Sequence, residues 1–211
     1  NRYDIIVSEP SNPWVSGVAA LFTEEFYRRL AEYLNEGGVL SQWLHTYEMD
    51  AATLASILNA LSKTFPEFLV YTSIDSDIVV IARKGGDPGT FDARVMQFDR
   101  MKAMLERLKM TEVENINRRS VGRWSTLRPF FASYGAAVNS DFFPIVDQRA
   151  SKTRFTQAKV GELVELQAMS VPLLAMLDGR VEPSRVRHRA TSPSFVDAAS
   201  ARAWDLADSV M

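Results

Sequence analysis

The chain has 211 residues, of which 46% are hydrophobic and 24% are charged, and its net charge at pH 7 is −2. This composition is typical of a globular protein, and the balanced charge gives no electrostatic basis for binding nucleic acid or an anionic membrane. The chain has no cysteine and two distant histidines, His45 and His188. We therefore predict no disulfide, no thiol nucleophile and no metal site, and a cytoplasmic location.

The apolar runs and the first residues of the sequence bear on three questions: whether it contains a membrane span, a signal peptide or a truncated start. No apolar run reaches the roughly 18 to 20 residues needed to cross a bilayer, so we expect no membrane contact from this segment. No signal peptide is recognisable. The chain begins with Asn1-Arg2 and reaches a predicted strand almost at once, which suggests a fragment of a longer protein.

The first 86 residues alternate predicted strands and helices. Strands are predicted at 5–7, 39–44, 68–71 and 78–81, and helices at 23–35 and from Asp50, a good N-cap, to about Phe65. The six residues between the last two strands are too few for a helical crossover, so this pair should form an antiparallel hairpin. The pattern predicts an α/β sheet with parallel strands and a terminal antiparallel hairpin.

The glycine-rich stretch 84–89 predicts a domain boundary, which divides the chain into residues 1–86 and a mainly helical extension, residues 87–211. In the extension, a helix over 93–109 would turn Val95, Phe98, Leu105 and Leu108 inward. Further segments are predicted as follows: helices at 127–132, 159–168, 173–177 and 198–210, and a turn at 139–144.

Two polar clusters follow the first two predicted strands. Residues 8–14 come directly after the first strand, and residues 41–48 lie at the end of the second. Ligands of open α/β sheets bind beyond the carboxyl ends of the strands. Because we expect the two strands to be neighbours, the two clusters should face one cleft.

The first cluster belongs to a longer pattern. The segment 3–13, Tyr-Asp-Ile-Ile-Val-Ser-Glu-Pro-Ser-Asn-Pro, is followed by Leu21-Phe22 and Phe26-Tyr27. It resembles the signature of the spermidine and spermine synthases, the polyamine aminopropyltransferases, whose usual form is Tyr-Asp-Val-Ile-Ile-Val-Asp-Ser-Ser-Asp-Pro. The form found here is similar to a bacterial spermidine-synthase-like subgroup, often fused to transporter-like membrane helices. Gly37-Gly38-Val39-Leu40 and Gln42 continue the resemblance, which covers about residues 1 to 85; a weaker one reaches the turn 139–144.

The resemblance implies a Rossmann-like transferase that moves an aminopropyl or related group from decarboxylated S-adenosylmethionine, or S-adenosylmethionine itself, to a small-molecule amine. Glu9 matches the family's general base, and Asn12 and Gln42 match residues that contact the amine. Trp14 is a further candidate for the amine site. Ser8 and Pro10 are candidates for contact with the co-substrate.

The sequence also departs from the family pattern. Asn12 is neutral where the family has a second acid, and Glu9 is one methylene longer than the usual Asp. The hairpin 72–77 lacks the tyrosine that the family uses against the amine; Asp75, or else Asp77, could supply the missing charge. The glycine-rich loop and the ribose-binding acid of the family would lie upstream of residue 1, so we expect no cofactor and no catalysis from this fragment alone.

A non-enzymatic interpretation stays open, in which the chain is a Rossmann-like binding or assembly module. Glu9 could cap a helix or form an ion pair, Asn12 could serve a turn, and Trp14 and Trp43 could belong to the core. We expect His45 to be a surface or partly buried side chain. In either interpretation, the edge of the first strand, which the missing N-terminal half would normally cover, should pair with another copy, a crystal neighbour or the helical extension folded back.

Overall fold

A computed structural model describes residues 1–15, 17–74, 77–117, 119–156 and 160. Asp75 and the helices predicted at 159–168, 173–177 and 198–210 lie outside the described residues, apart from Val160.

The centre of the fold is a mixed five-stranded sheet in the order β1-β2-β4-β3-β5. β1 and β2 are parallel, whereas the β2–β4, β4–β3 and β3–β5 pairs are antiparallel. The protein is therefore an α/β protein with one parallel pair. The strands are β1 (Tyr3–Ser8), β2 (Leu34–His45), β3 (Phe68–Ile74), β4 (Asp77–Arg83) and β5 (Ser120–Arg123).

The parallel pair is connected by α1 (Glu24–Glu32). The side chain of Thr23 accepts a hydrogen bond from the Phe26 N–H and caps the first turn. The sequence predicts this helix to continue to Asn35, which is wrong. The helix ends at Glu32 because Leu34 already pairs with Tyr3 of β1, and β2 then shifts register before Val39 pairs with Ile5.

The second helix, α2 (Ala51–Ser62), begins where the sequence predicts it. The Asp50 side chain accepts hydrogen bonds from the Thr53 N–H at 2.8 Å and from its hydroxyl at 2.6 Å. Almost every residue of α2 is buried, because its side chains share one core with those of the sheet and the helix contacts helices of the extension. The predicted antiparallel hairpin of β3 and β4 is also confirmed.

The predicted helix over 93–109 is wrong in its length and in its buried face. A 3-10 helix, Ala93–Gln97, and α3 (Asp99–Arg107) flank Phe98, whose extended backbone interrupts the helix. Phe98 is 67% exposed and Leu108 is 58% exposed, whereas Leu105 is buried. The helical apolar spacing therefore predicts the burial of Leu105 correctly, but Phe98 and Leu108 do not extend it into a continuous buried stripe.

The rest of the described extension packs against the sheet and α2. It contains α4 (Val113–Asn117), β5, α5 (Trp124–Ala132), the irregular segment 133–144 and α6 (Ile145–Phe155). α5 includes the helix predicted at 127–132, and the predicted turn at 139–144 is non-helical. Side chains of this part join one hydrophobic core with those of the sheet, among them Trp124, Leu127, Phe130, Phe131 and Val146. Whether the chain divides at residue 86 into units that fold separately stays a prediction.

Within the described ranges, no helix combines the length and the hydropathy that crossing a membrane requires.

Candidate functional site

The segments that follow β1 and β2 meet at the carboxyl ends of these strands. Ser8, the last residue of β1, is in register with Gln42 of β2, so the neighbour relation predicted for the two strands is confirmed. Beyond the strands, the Tyr47 hydroxyl donates a hydrogen bond to Asn12 Oδ1 at 3.3 Å. The two polar clusters of the sequence therefore form one continuous site.

Aromatic rings form the body of this site. Trp14, Trp43 and Tyr47 surround His45, with ring centroids 5.0, 5.7 and 4.6 Å from the imidazole, and we call these four residues the aromatic cluster. The guanidinium carbon of Arg154, in α6, lies 5.8 Å from the centroid of the Trp14 ring, within the range of a cation–π interaction. The face of Trp14 thus already accommodates a cation.

His45 is 1% exposed, so the expectation of a surface or partly buried side chain is wrong. Its Nε2 atom is buried and has no hydrogen-bond partner. Burial lowers the pKa of His45 to about 4, because removal from water disfavours the charged imidazolium. At neutral pH the aromatic cluster therefore contains an uncharged imidazole.

Asp77 is one of the two acids, with Asp75, that the sequence offers as a source of the missing charge. It is the first residue of β4 and lies directly opposite His45 in the antiparallel register. Its Oδ1 atom is buried without a hydrogen-bond partner. A carboxylate therefore lies beside the aromatic cluster, whereas Asp75 falls outside the described residues.

Glu9 follows the last residue of β1 and is exposed to solvent. Within the part of the chain that the structure describes, no ion pair or hydrogen bond engages its carboxylate, so it neither caps a helix nor neutralises a cation there. Ser8 and Pro10 on either side are half-buried. Glu9 is thus the accessible acid at the carboxyl end of β1.

Gln42 lies deeper than the sequence suggests. It is 0% exposed and shares the buried alternation of β2 with Leu40 and Leu44. Its Nε2 donates to the carbonyl of Trp43 at 3.0 Å and, more weakly, to that of Ser8 at 3.4 Å, while its Oε1 has no partner. The amide therefore lies beneath the end of β1, and direct contact with a ligand would require it to become exposed.

Across the described ranges, no three side chains among His, Cys, Asp and Glu are grouped closely enough to hold a metal ion. No protein-family model matches the chain, and no curated protein matches it significantly.

Proposed function

We propose that the chain is the C-terminal half of a Rossmann-like transferase domain of the aminopropyltransferase type, with an amine site at the carboxyl ends of β1 and β2. The observation that carries the proposal is the junction of the two polar segments, through the Tyr47–Asn12 hydrogen bond and the Trp14–His45 ring contact. Carboxyl ends of adjacent parallel strands are where open α/β sheets bind ligands.

Glu9 is the group that would act on the amine. An ammonium nitrogen has no free lone pair, so it must lose a proton before it can attack carbon. An exposed carboxylate without an internal partner can accept that proton, which is general-base catalysis. The freed lone pair then forms the new C–N bond as the C–S bond breaks, and the electron pair of that bond stays on the departing sulfur.

The aromatic cluster and Asp77 fit the charge of the acceptor. Aromatic faces attract ammonium groups, and the contact of Arg154 with Trp14 is an example within this chain. An ammonium group at the Trp14 face would take the place of the Arg154 guanidinium. Asn12 is engaged by Tyr47 and carries no charge. A lost ion pair near 4 Å corresponds to at most about 4 kcal/mol at an effective dielectric constant of 20, so we expect weaker binding of a dication than in the resembled family.

The co-substrate would contact this chain at Ser8 and Pro10. Both residues are half-buried at the carboxyl end of β1, and Gln42 holds the Ser8 carbonyl from below. S-adenosylmethionine or its decarboxylated form would supply a carbon activated by the sulfonium. Ser8 and Pro10 provide one side of a binding surface, and the larger part would come from residues outside this chain.

The test uses the longer parent protein. Calorimetry should detect binding of S-adenosylmethionine or decarboxylated S-adenosylmethionine, and Glu9→Gln should lower transfer to putrescine or a related amine by about 100-fold or more while co-substrate binding persists. Glu32→Gln, at the exposed end of α1, is the matched control. Binding of neither co-substrate would contradict the proposal.

A binding or assembly module without catalysis is the second candidate, and the neutral Asn12 in place of the second acid favours it. The same Glu9→Gln variant separates the two functions. In an assembly module, this substitution should leave the ligand binding and the phenotype of the parent protein unchanged.

A further inference from the structure

The guanidinium of Arg154 covers one face of the aromatic cluster. Its central carbon lies 5.8 Å from the centroid of the Trp14 ring, and Trp14 in turn contacts the rings of His45 and Tyr47. Arg154 belongs to the last turn of α6, in the extension, whereas Trp14 belongs to the segment that follows β1. The extension therefore places a positive charge at the proposed amine site.

Within the described ranges, the partner of this guanidinium is the Trp14 ring and not a carboxylate. None of the ion pairs found there includes Arg154. Arg149, earlier in the same helix, shows the contrast. It forms an ion pair with Asp50 at 2.7 Å and donates a hydrogen bond to the Thr53 hydroxyl at 3.2 Å. Arg154 is therefore held by an aromatic face alone among these residues.

α6 is fixed to the rest of the protein independently of Arg154. Val146 and Ala150 of this helix are buried, and the ion pair of Arg149 joins it to the start of α2. The Arg154 residue is exposed, by contrast. Its guanidinium can therefore leave the Trp14 face for water while α6 stays in place.

One face of an aromatic ring accommodates one cation at a time. The attraction acts within about 6 Å of the ring centroid, so a guanidinium and an ammonium group need the same position. Two positive charges placed together at that position would also repel each other. An ammonium ligand can therefore use the face that Arg154 covers only when the guanidinium has moved away.

We propose that Arg154 sets the affinity of the amine site by competing, as an internal cation, with the ammonium group of the acceptor. This inference rests on the amine site of the proposed function and adds a residue that regulates it. The guanidinium covers Trp14 in the free protein, the acceptor displaces it into solvent, and release of the product restores the contact. No covalent bond forms or breaks in this exchange, so Arg154 acts on binding and not on the chemical step.

The size of the effect follows from the strength of the contact. Cation–π contacts at exposed sites are weak, so removal of the guanidinium should strengthen amine binding by about 2- to 5-fold. The displacement is complete before the amine attacks carbon, and it is equally complete in the transition state. The gain should therefore appear as a lower KM for the amine, with kcat unchanged.

The direct test is a calorimetric titration of the chain with tetramethylammonium chloride at constant ionic strength. This probe carries the charge of an ammonium group but has no proton to lose, so its binding does not depend on Glu9 as a base. Arg154→Gln should bind the probe about 2- to 5-fold more tightly than the unmodified chain. Lys152→Gln removes an exposed positive charge from the same turn of α6 and is the matched control. It should change the affinity by less than about 1.5-fold, because salt screens exposed charges.

A double-mutant cycle assigns the effect to the ring. In a Trp14→Leu background, the probe should bind more weakly, and Arg154→Gln should no longer strengthen its binding. Equal gains in Arg154→Gln and Lys152→Gln would show a general effect of charge and would overturn the proposal. The proposal is equally wrong if Arg154→Gln, with the far-UV circular dichroism of the unmodified chain, gains no affinity or does not bind the probe.

Kinetics of the parent protein separate this inference from the proposed function. Arg154→Gln should lower KM for the amine by about 2- to 5-fold and leave kcat unchanged. A parent protein that binds neither co-substrate would contradict the transferase function, whereas the tetramethylammonium titration would still decide the role of Arg154. An active transferase with the same KM in Arg154→Gln would overturn the inference about Arg154 and leave the proposed function standing.

Discussion

His45 of β2 lies directly opposite Asp77 of β4, and each side chain has a buried polar atom without a hydrogen-bond partner. Burial against Trp14 and Tyr47 favours the neutral imidazole. This burial lowers the pKa of His45 to about 4. The protein thus holds a neutral imidazole and a carboxylate side by side at the carboxyl end of β2.

This arrangement predicts a loss of stability in mild acid. In the unfolded chain His45 has an ordinary pKa near 6.5, so between about pH 6.5 and pH 4 the unfolded state binds a proton that the folded state does not. The free energy of unfolding should therefore fall as the pH decreases through this window, by at most about 3 kcal/mol. Urea unfolding at pH 7.0 and pH 4.5 measures the difference.

His45→Phe supplies the comparison, because a phenyl ring cannot take up a proton. The difference in stability between pH 7.0 and pH 4.5 should be smaller in this variant than in the unmodified chain. Substitution of the other histidine, His188→Gln, controls for the removal of a titrating group. An unmodified chain with the same pH dependence as His45→Phe would contradict the prediction.

The Asp50 cap should contribute measurable stability to α2. Burial acts to raise the pKa of Asp50, but hydrogen bonds from Thr53 and Arg149 lower it overall. Asp50→Ala removes the cap of α2 and the 2.7 Å ion pair with Arg149 of α6, and should lower the free energy of unfolding by about 1–2 kcal/mol. Asp50→Asn keeps a side-chain acceptor and should cost less than 1 kcal/mol, because the ion pair is partly exposed. Equal losses in the two variants would show that the ion pair, and not the cap, is the main contribution.

Elements with a strong local signal are the ones that the sequence predicts. The Asp50 cap and the hairpin follow from residues close together in the chain, and the parallel neighbours β1 and β2 follow from the alternation of strand and helix. β5 has no such signal, because it spans only Ser120–Arg123 and is a strand through its pairing with β3. Phe98 shows the converse, since a helical apolar spacing predicts its burial and the backbone breaks there.

Some features of the candidate site can likewise be predicted from the sequence, and others depend on the pairing of distant strands. The order of Glu9 and Asn12 after the first strand can be read from the sequence, and so can the meeting of the two polar segments. The burial of His45 and the position of Asp77 depend on the β2–β4 register, which the sequence does not encode locally. Gln42 lies on the buried side because strand alternation, starting from Leu40, assigns it there.

Asn139 should be among the least replaceable polar residues of the described chain. It is fully buried, its Nδ2 donates to the Phe22 carbonyl at 2.9 Å, and its Oδ1 accepts from the Val146 N–H at 3.1 Å. Asn139→Ala leaves both backbone groups buried and unpaired, so we expect a loss of about 2–4 kcal/mol in urea unfolding. Asp141→Asn, at an exposed neighbour, should change stability by less than about 0.5 kcal/mol. A loss below about 1 kcal/mol for Asn139→Ala would mean that water replaces both hydrogen bonds.

Replacement of Trp124 should lower the free energy of unfolding of the extension and of the sheet together. Its ring stacks on Phe68 of β3 with centroids 5.0 Å apart and on Phe131 at 6.2 Å, and it is almost completely buried. Trp124→Ala should therefore cost about 3–5 kcal/mol. When Trp124→Ala or Trp124→Phe is made in a Trp204→Phe background, the remaining fluorescence comes from Trp14 and Trp43, both near the β1–β2 end of the sheet.

This fluorescence and the far-UV circular dichroism should report one coincident unfolding transition, because residues on both sides of position 86 share one core. Trp124→Ala should move the midpoint of that transition to a lower urea concentration. Trp124→Phe is the matched control, and it should recover most of the stability because it keeps an aromatic ring against Phe68. Two separate transitions, with the fluorescence unaffected by Trp124→Ala, would instead show that the chain divides near residue 86 into units that unfold independently.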